Sequence, residues 1–179
     1  HAILDSAYAE TYVRNLIGHL NRLGIDLSGN MLDAGCALGM LSDAFRRVLG
    51  AGTTVHGIDL APTIVAKAQQ HYPDCRFEVH SADDLSIYPN DHFGLIHLRE
   101  FYPFTRSGSV GFHMRFLEAM LPKLRPGGLV AAIQIVDKRG LADTLPELER
   151  LCADVGYLRV FRQVVVPIRM YRRWGDLVH

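Results

Sequence analysis

Cysteine is scarce in this chain, and its distribution excludes two kinds of site. The three cysteines (Cys36, Cys75 and Cys152) lie far apart, and no Cys-x-x-Cys pair occurs. A disulfide framework or a cysteine-based zinc site needs cysteines that are more numerous or closer together. A few scattered cysteines are typical of proteins from a reducing compartment. We therefore expect a cytoplasmic protein without a metal site.

Long apolar runs and an excess of one charge are also missing. No stretch approaches the ~20 consecutive apolar residues of a membrane span. Lysine plus arginine and aspartate plus glutamate number 19 each, so no overall basic field attracts nucleic acid or an anionic membrane. We expect neither as a partner. No repeat or low-complexity segment divides the 179 residues, which predicts a single domain over 1–179, with an N-terminal helix in 1–24 and a core in 30–179.

The Gly-x-Gly-x-x-Gly loop of dinucleotide-binding proteins is absent as well. Counted from Gly35, the positions of the second and third glycines are occupied by Ala37 and Met40. This spacing disfavours a nicotinamide-dependent oxidoreductase, which we keep as an alternative.

The most informative segment that the chain does contain is Met31-Leu-Asp-Ala-Gly-Cys-Ala-Leu-Gly39. It begins with apolar residues, places an acid at Asp33 and has glycines at Gly35 and Gly39, and a helical pattern of apolar residues follows. This order predicts a buried strand, a glycine loop and the first turn of a helix. Glycines there allow a sharp turn and the close approach of a ligand. The N-terminus of the helix behind them suits an anionic group.

A second strand and further strand–helix units follow along the chain. Residues 53–59 read as a short strand that ends in Asp59, where an acid in an open α/β sheet can accept both hydroxyls of a ribose. Strands at 76–80, 91–98 and 129–136 alternate with helices, and a helix with Pro146 in its first turn comes after them. The pattern predicts an α/β three-layer sandwich with a mostly parallel sheet. An antiparallel strand pair, 157–166 and 168–174, is predicted at its end.

Several of these segments resemble class I S-adenosylmethionine (SAM)-dependent methyltransferases. The run Asp33-x-Gly35-x-Ala37-x-Gly39 resembles their first motif, and Gly57-Ile-Asp-Leu-Ala-Pro62 resembles their second. The turn Leu124-Arg-Pro-Gly-Gly128 is similar to another recurring segment of the family. The resemblance covers about residues 31–136. It implies a Rossmann-like fold and SAM as the cofactor.

The resemblance also implies which residues contact SAM. The backbone around Gly35 and Gly39 is expected to hold the methionine part, Asp59 the ribose, and the segment Ala82–Asp83 the adenine. The expected cofactor-binding residues are Asp33, Gly35, Cys36, Ala37, Gly39, Asp59, Leu60, Ser81, Ala82, Asp83 and Leu98.

Three departures from the family pattern keep a second hypothesis open. Ala37 replaces a glycine, and Ser81 and Gly94 replace common aspartates. A catalytically degenerate SAM-binding partner protein is therefore an alternative to an enzyme. The chain also lacks the Asn/Asp-Pro-Pro-Tyr/Phe and Pro-Cys segments of DNA base methylases. We expect an enzyme that methylates an oxygen, nitrogen or sulfur atom of a small molecule, and leave a homo-oligomer open.

Two residues at the end of the predicted fourth strand are candidates for catalysis. His97 is a candidate general base because an unperturbed imidazole titrates near neutral pH. A core histidine is the competing interpretation. Glu100 is expected to orient the substrate or to pair with Arg99. On the predicted N-terminal helix, Tyr8 and Tyr12 either line the mouth of the site or pack against the sheet.

Overall fold

The computed structural model describes residues 6–134 and 140–154. Its helices are α1 (Ser6–Arg22), α2 (Met40–Leu49), α3 (Pro62–His71), α4 (Tyr102–Arg106), α5 (Val110–Met120) and α6 (Gly140–Asp154). Its strands are β1 (Asn30–Ala34), β2 (Val55–Asp59), β3 (Arg76–Val79), β4 (Phe93–Arg99) and β5 (Leu124–Ile133). A short 3₁₀ turn, Leu121–Lys123, leads into β5.

The five strands form one sheet in the order β3-β2-β1-β4-β5, and each neighbouring pair is parallel. The mostly parallel sheet is thus confirmed. The strand order reverses between β1 and β4, because the chain runs out to β3 on one side and then returns to add β4 on the other. In open α/β sheets, ligands bind at the carboxyl ends of the strands beside such a reversal.

Helices cover both faces of the sheet. Alternate residues of a strand point to opposite faces, and the two hydrophobic clusters follow this alternation. Met31 and Leu95 belong to the cluster with Phe45 of α2, whereas Leu32 and Ile96 belong to the cluster with the aromatic residues of α4 and α5. The predicted three-layer sandwich is confirmed. On the first face, α1 buries Ala9, Val13, Ile17 and Leu20.

The glycine at position 94 has a packing reason. A Cβ atom at Gly94 would lie 2.1 Å from the backbone oxygen of Ser28. The loop that contains Ser28 is held by Arg125, whose Nε donates to Ser28 O at 2.6 Å and whose Nη2 lies 2.5 Å from Asp26 Oδ2. The loop therefore occupies the space of any larger side chain, and the departure from the family pattern at this position follows from packing.

Three local predictions need correction. Helix α4 was not predicted, although Pro103 lies in its first turn. Strand β5 begins at Leu124 rather than at residue 129, because Phe93 pairs with Leu124 and Leu95 pairs with Leu129, so the residues between them bulge out of the ladder. Pro146 lies inside α6 and not in its first turn. Its exposed ring fits there at the cost of one helical hydrogen bond.

The predicted antiparallel strand pair at 157–166 and 168–174 lies outside the described residues and stays a prediction. Within residues 6–134 and 140–154, none of the helices has the length and apolar character that crossing a membrane requires.

Candidate active site

The loop between β1 and α2 has the backbone shape that its glycines predict. Gly35 and Gly39 have φ angles of 79° and 80°, and Ala37 adopts the left-handed region at 49°. The backbone N–H groups of Gly35 and Cys36 donate to Ile58 O at 2.8 and 2.9 Å, which ties the loop to β2. A Cβ atom at position 39 would lie 2.6 Å from Cζ of Phe77. Gly39 is therefore required by both conformation and packing.

Asp59 lies at the rim of this loop. Its Oδ2 accepts a hydrogen bond from the Ala37 N–H at 3.1 Å, and its Oδ1 accepts from the Ala61 N–H at 3.0 Å. A carboxylate has about four acceptor positions, so each oxygen can still accept a hydroxyl. The next residue, Leu60, is 71% exposed. A fixed carboxylate beside an outward apolar side chain fits the ribose and purine of a nucleoside.

The segment Ser81–Asp83 is held by α5. Asp83 accepts a hydrogen bond from the Ser81 hydroxyl, and Arg115 Nη2 lies 2.5 Å from Asp83 Oδ2. The guanidinium of Arg115 lies over the rings of Phe112 and Phe116, at 5.4 and 5.6 Å. Ala82 is buried, whereas Ser81 and Asp83 on either side of it are partly exposed. Asp83 is thus anchored by an ion pair that the sequence did not indicate.

The chain after β4 meets the glycine loop. Glu100 has a φ angle of 50°, and its N–H donates to Ile133 O at 2.9 Å. Left-handed backbone at a residue other than glycine costs about 1–3 kcal/mol and is concentrated at functional sites. The turn places Phe101 over the loop, since a Cβ atom at Gly35 would lie 3.4 Å from its Cδ2. This aromatic ring covers the start of the predicted cofactor site.

His97 does not open onto the site, which corrects the hypothesis that it contacts the substrate. Its side chain is fully buried, with Nδ1 2.9 Å from Asp33 Oδ1 and Nε2 2.9 Å from Tyr12 Oη. Burial raises the pKa of the Tyr12 phenol, so this hydroxyl stays protonated. Both ring nitrogens are therefore occupied. His97 is a core histidine, but its partners are side chains rather than backbone.

Three predicted cofactor contacts also point into the interior. Asp33 is 3% exposed, and its Oδ2 accepts from the Ser42 hydroxyl at 2.7 Å while its Oδ1 faces His97. Leu98 is buried in the cluster with α4 and α5. Burial raises the pKa of the Cys36 thiol, which keeps it protonated and a poor nucleophile. The side chains of Asp33, Cys36 and Leu98 serve the core, so at these positions only the backbone is left to face a ligand.

Tyr8 and Tyr12 lie at the carboxyl end of β4, next to Arg99. The guanidinium carbon of Arg99 is 5.5 Å from the Tyr8 ring centroid and 4.8 Å from the Tyr12 ring centroid. Arg99 Nη2 also donates to Tyr8 Oη at 3.1 Å. The two tyrosines therefore pack on the end of the sheet and form part of the edge of the site.

The comparisons with known proteins agree with this geometry. The family model of the methyltransferase domain matches residues 31–128, which run from the start of β1 into the first part of β5. The chain belongs to the methyltransferase domain family. Together with its relatives, this makes it a member of the class I SAM-dependent methyltransferases.

One curated relative of this methyltransferase domain is the trans-aconitate 2-methyltransferase of Delftia acidovorans. The two are 30% identical over 157 residues, which cover 85% of this chain and 56% of the relative. The chain therefore spans little more than half the length of that relative.

Two solved structures show the same fold. A SAM-bound amino pentose methyltransferase from Micromonospora echinaspora superposes with a TM-score of 0.59 at 20% identity, covering 71% of this chain and 51% of that one. A SAM-dependent methyltransferase from Aquifex aeolicus superposes with a TM-score of 0.56 at 16% identity, covering 88% and 92%.

Sequence reasoning missed two residues that shape the methyltransferase site. Phe101 could have been found, because it follows directly after the strand that ends beside the glycine loop. Arg115 lies on α5, distant in sequence from Asp83. Only the packing of that helix brings the pair together.

Proposed function

We propose that this chain transfers the methyl group of SAM to an oxygen, nitrogen or sulfur atom of a small molecule. One observation carries the proposal. The Asp59 carboxylate is fixed by the N–H groups of Ala37 and Ala61, beside the exposed Leu60 and the glycine loop. Such a carboxylate can accept hydrogen bonds from both ribose hydroxyls of SAM, while the backbone of the glycine loop holds its methionine part.

The residues of the site fit SAM in three parts. The backbone of residues 35–39 would hold its methionine part, Asp59 and Leu60 its ribose and one face of its adenine, and Ser81–Asp83 the adenine edge. When bound, SAM supplies an electrophilic methyl group on a sulfonium. The protein then has to hold a nucleophile in line with that methyl group. Positioning of this kind can contribute ~7–11 kcal/mol of the barrier.

Some acceptors can be methylated without a buried general base. An ionised carboxylate or a thiolate attacks the methyl group without first losing a proton, which agrees with a His97 whose nitrogens are both occupied. We propose that Glu100, at the carboxyl end of β4, orients the acceptor. Because one relative is a trans-aconitate 2-methyltransferase, trans-aconitate is the first acceptor to assay.

The test has a binding arm and a turnover arm. Calorimetry should show binding of SAM and of its demethylated product, S-adenosylhomocysteine (SAH), and no binding of NAD. Incubation with methyl-labelled SAM and a panel of small acceptors, read by mass spectrometry, should show methyl transfer. Binding of NAD without binding of SAM would establish the oxidoreductase alternative and refute the proposal.

The degenerate SAM-binding partner protein remains the second candidate. This hypothesis is based on the departures from the family pattern at Ala37, Ser81 and Gly94. The departure at Gly94 is explained by packing. SAM binding without transfer to any acceptor of the panel would favour it. With the enzyme hypothesis we also propose that residues 1–179 form a single domain and that the protein is cytoplasmic.

Asp59→Ala is expected to weaken SAM binding by about 1.5–3 kcal/mol, the range for hydrogen bonds to a charged group. This is roughly a tenfold to hundredfold loss of affinity, measured by calorimetry. Asp74→Ala removes an exposed acid before β3, away from the carboxyl ends of the strands, and should leave the affinity unchanged. Thermal unfolding of Asp59→Ala separates loss of the ribose contact from loss of the fold, because Asp59 also accepts from two loop N–H groups. An unchanged affinity in folded Asp59→Ala would show that Asp59 only caps α3.

A further inference from the structure

Arg99 occupies a distinctive place, at the last position of β4. The register of the central pair sets Asp33 of β1 opposite His97 of β4. Arg99 is two residues beyond His97, and Gly35 is two residues beyond Asp33. Neighbouring parallel strands lie about 4.8 Å apart, so the backbone of Arg99 reaches the same edge of the sheet as the start of the glycine loop. Its side chain is half-buried there.

The guanidinium is held in one orientation. Tyr8 and Tyr12 lie one helical turn apart on α1, so both rings face the same direction. They flank Arg99 at 5.5 and 4.8 Å from the guanidinium carbon, and Tyr8 Oη accepts one N–H at 3.1 Å. A guanidinium is attracted to the faces of tyrosine rings, and this contact does not use its N–H donors.

A buried chain of hydrogen bonds fixes Tyr12 in turn. Tyr12 Oη is 2.9 Å from His97 Nε2, His97 Nδ1 is 2.9 Å from Asp33 Oδ1, and Ser42 Oγ donates to Asp33 Oδ2 at 2.7 Å. Asp33, Ser42 and His97 are each at most 3% exposed. The aromatic support of Arg99 is therefore anchored in the core between α1, α2 and the sheet.

Arg99 contacts two tyrosine rings but forms no ion pair with a described carboxylate. Arg46, Arg115 and Arg125 each form an ion pair with an aspartate. Among the carboxylates whose side chains the structure describes, none lies within ion-pair distance of Arg99. An oriented guanidinium with unused donors at the edge of a ligand site is suited to bind a carboxylate with two parallel hydrogen bonds.

We propose that Arg99 is the anchor for an anionic acceptor, and that it binds a carboxylate group of the small molecule to be methylated. Tyr8 and Tyr12 are positioning residues that orient the guanidinium. This inference rests on the proposed function, because it assigns the substrate class of the same site. It identifies the acceptor as a small carboxylic acid, with a carboxylate held by Arg99 and a second, nucleophilic group directed to the methyl.

The experiment uses the protein saturated with SAH, so that the cofactor part of the site is filled. Succinate, citrate and tricarballylate are titrated by calorimetry, with succinamide as a neutral probe of the same shape as succinate. We expect at least one carboxylate to bind and succinamide not to bind. Arg99→Gln should weaken that binding by about tenfold to a hundredfold, the range for hydrogen bonds to a charged group. Its affinity for SAH should stay unchanged, which also shows that the variant folds.

Two further variants separate orientation from charge. Arg99→Lys keeps the positive charge but loses the planar pair of donors, and should recover only part of the carboxylate affinity. Tyr8→Phe keeps the ring and removes the hydroxyl that accepts from Arg99. It should weaken carboxylate binding by less than Arg99→Gln does and leave SAH binding unchanged. Arg14→Gln is the matched control, because it removes an exposed arginine from α1 and should change neither affinity.

The outcomes distinguish this inference from the proposed function. Loss of carboxylate binding in Arg99→Gln with intact SAH binding supports the inference. If SAH binds but no carboxylate does, or if Arg14→Gln weakens carboxylate binding as much as Arg99→Gln, the inference is wrong and the methyltransferase proposal stands. If the wild-type protein binds neither SAM nor SAH, the proposed function fails, and the inference fails with it.

Discussion

Replacing His97 with alanine is expected to lower the free energy of unfolding by about 3–5 kcal/mol, the range for removing a large buried ring, because buried Asp33 also loses a hydrogen-bond partner. The imidazole is fully buried, and Asp33 is 3% exposed, so water cannot replace the lost hydrogen bond. The ring also contacts Phe45 edge-on, with centroids 4.8 Å apart, and its removal leaves a cavity. Urea denaturation near neutral pH measures the change.

Two further variants test this explanation. His71→Ala removes an exposed histidine at the end of α3 and should change stability by less than about 0.5 kcal/mol. In the double variant Asp33→Asn/His97→Ala the buried carboxylate is gone as well, and the total loss should be smaller than the sum of the two single losses. A loss below about 1 kcal/mol for His97→Ala, or strict additivity, would contradict the buried pair.

Acid is expected to destabilise the protein through His56, by about 2 kcal/mol between about pH 7.5 and about pH 5. His56 is 5% exposed, and within the described residues neither ring nitrogen has a hydrogen-bond partner. Burial, with smaller effects of His92 and Arg76, lowers the pKa of His56 from its ordinary 6.5 to about 4. The ring stays neutral in the folded protein while the unfolded chain takes up a proton.

The direction of this effect follows from proton binding. Below a pH of about 6.5 the unfolded state binds more protons than the folded state, so stability falls as the pH falls, until the folded ring is protonated near pH 4. The edge-on contacts of His56 with Tyr88 and Phe93, at centroid distances of 5.2 and 5.6 Å, suit a neutral aromatic ring. His56→Phe and His56→Leu should reduce the loss, which denaturant titrations at the two pH values measure.

The acid effect needs its own control. His113 is also buried, and burial lowers its pKa, so part of the acid sensitivity should persist in the His56 variants. His71→Leu changes an exposed histidine and should retain the whole pH dependence of the wild-type protein. Equal pH dependence in wild-type protein and both His56 variants would show that His56 is not the group responsible.

The order of the five strands along the chain and the outline of the candidate site could be predicted from the sequence alone. Glycine at 35 and 39, the acid at 59 and the alternation of apolar strands with amphipathic helices are local patterns. Each depends on the backbone conformation or side-chain period of a few adjacent residues. The structure places the loop, Asp59 and the mostly parallel sheet where these patterns predict them.

The roles of the polar residues of the central strands, in contrast, depend on how the helices pack on the sheet. The alternation of side chains along β4 predicts that His97 and Leu98 lie on opposite faces of the sheet. Because helices cover both faces, this alternation does not show which of the two side chains reaches a ligand. The register of β1 and β4 sets Asp33 against His97, and the packing of α1 adds Tyr12. These groups bond to one another because a buried polar group without a partner is costly. Since the same packing sets Tyr8 and Tyr12 on Arg99, residues distant in sequence form the edge of the site.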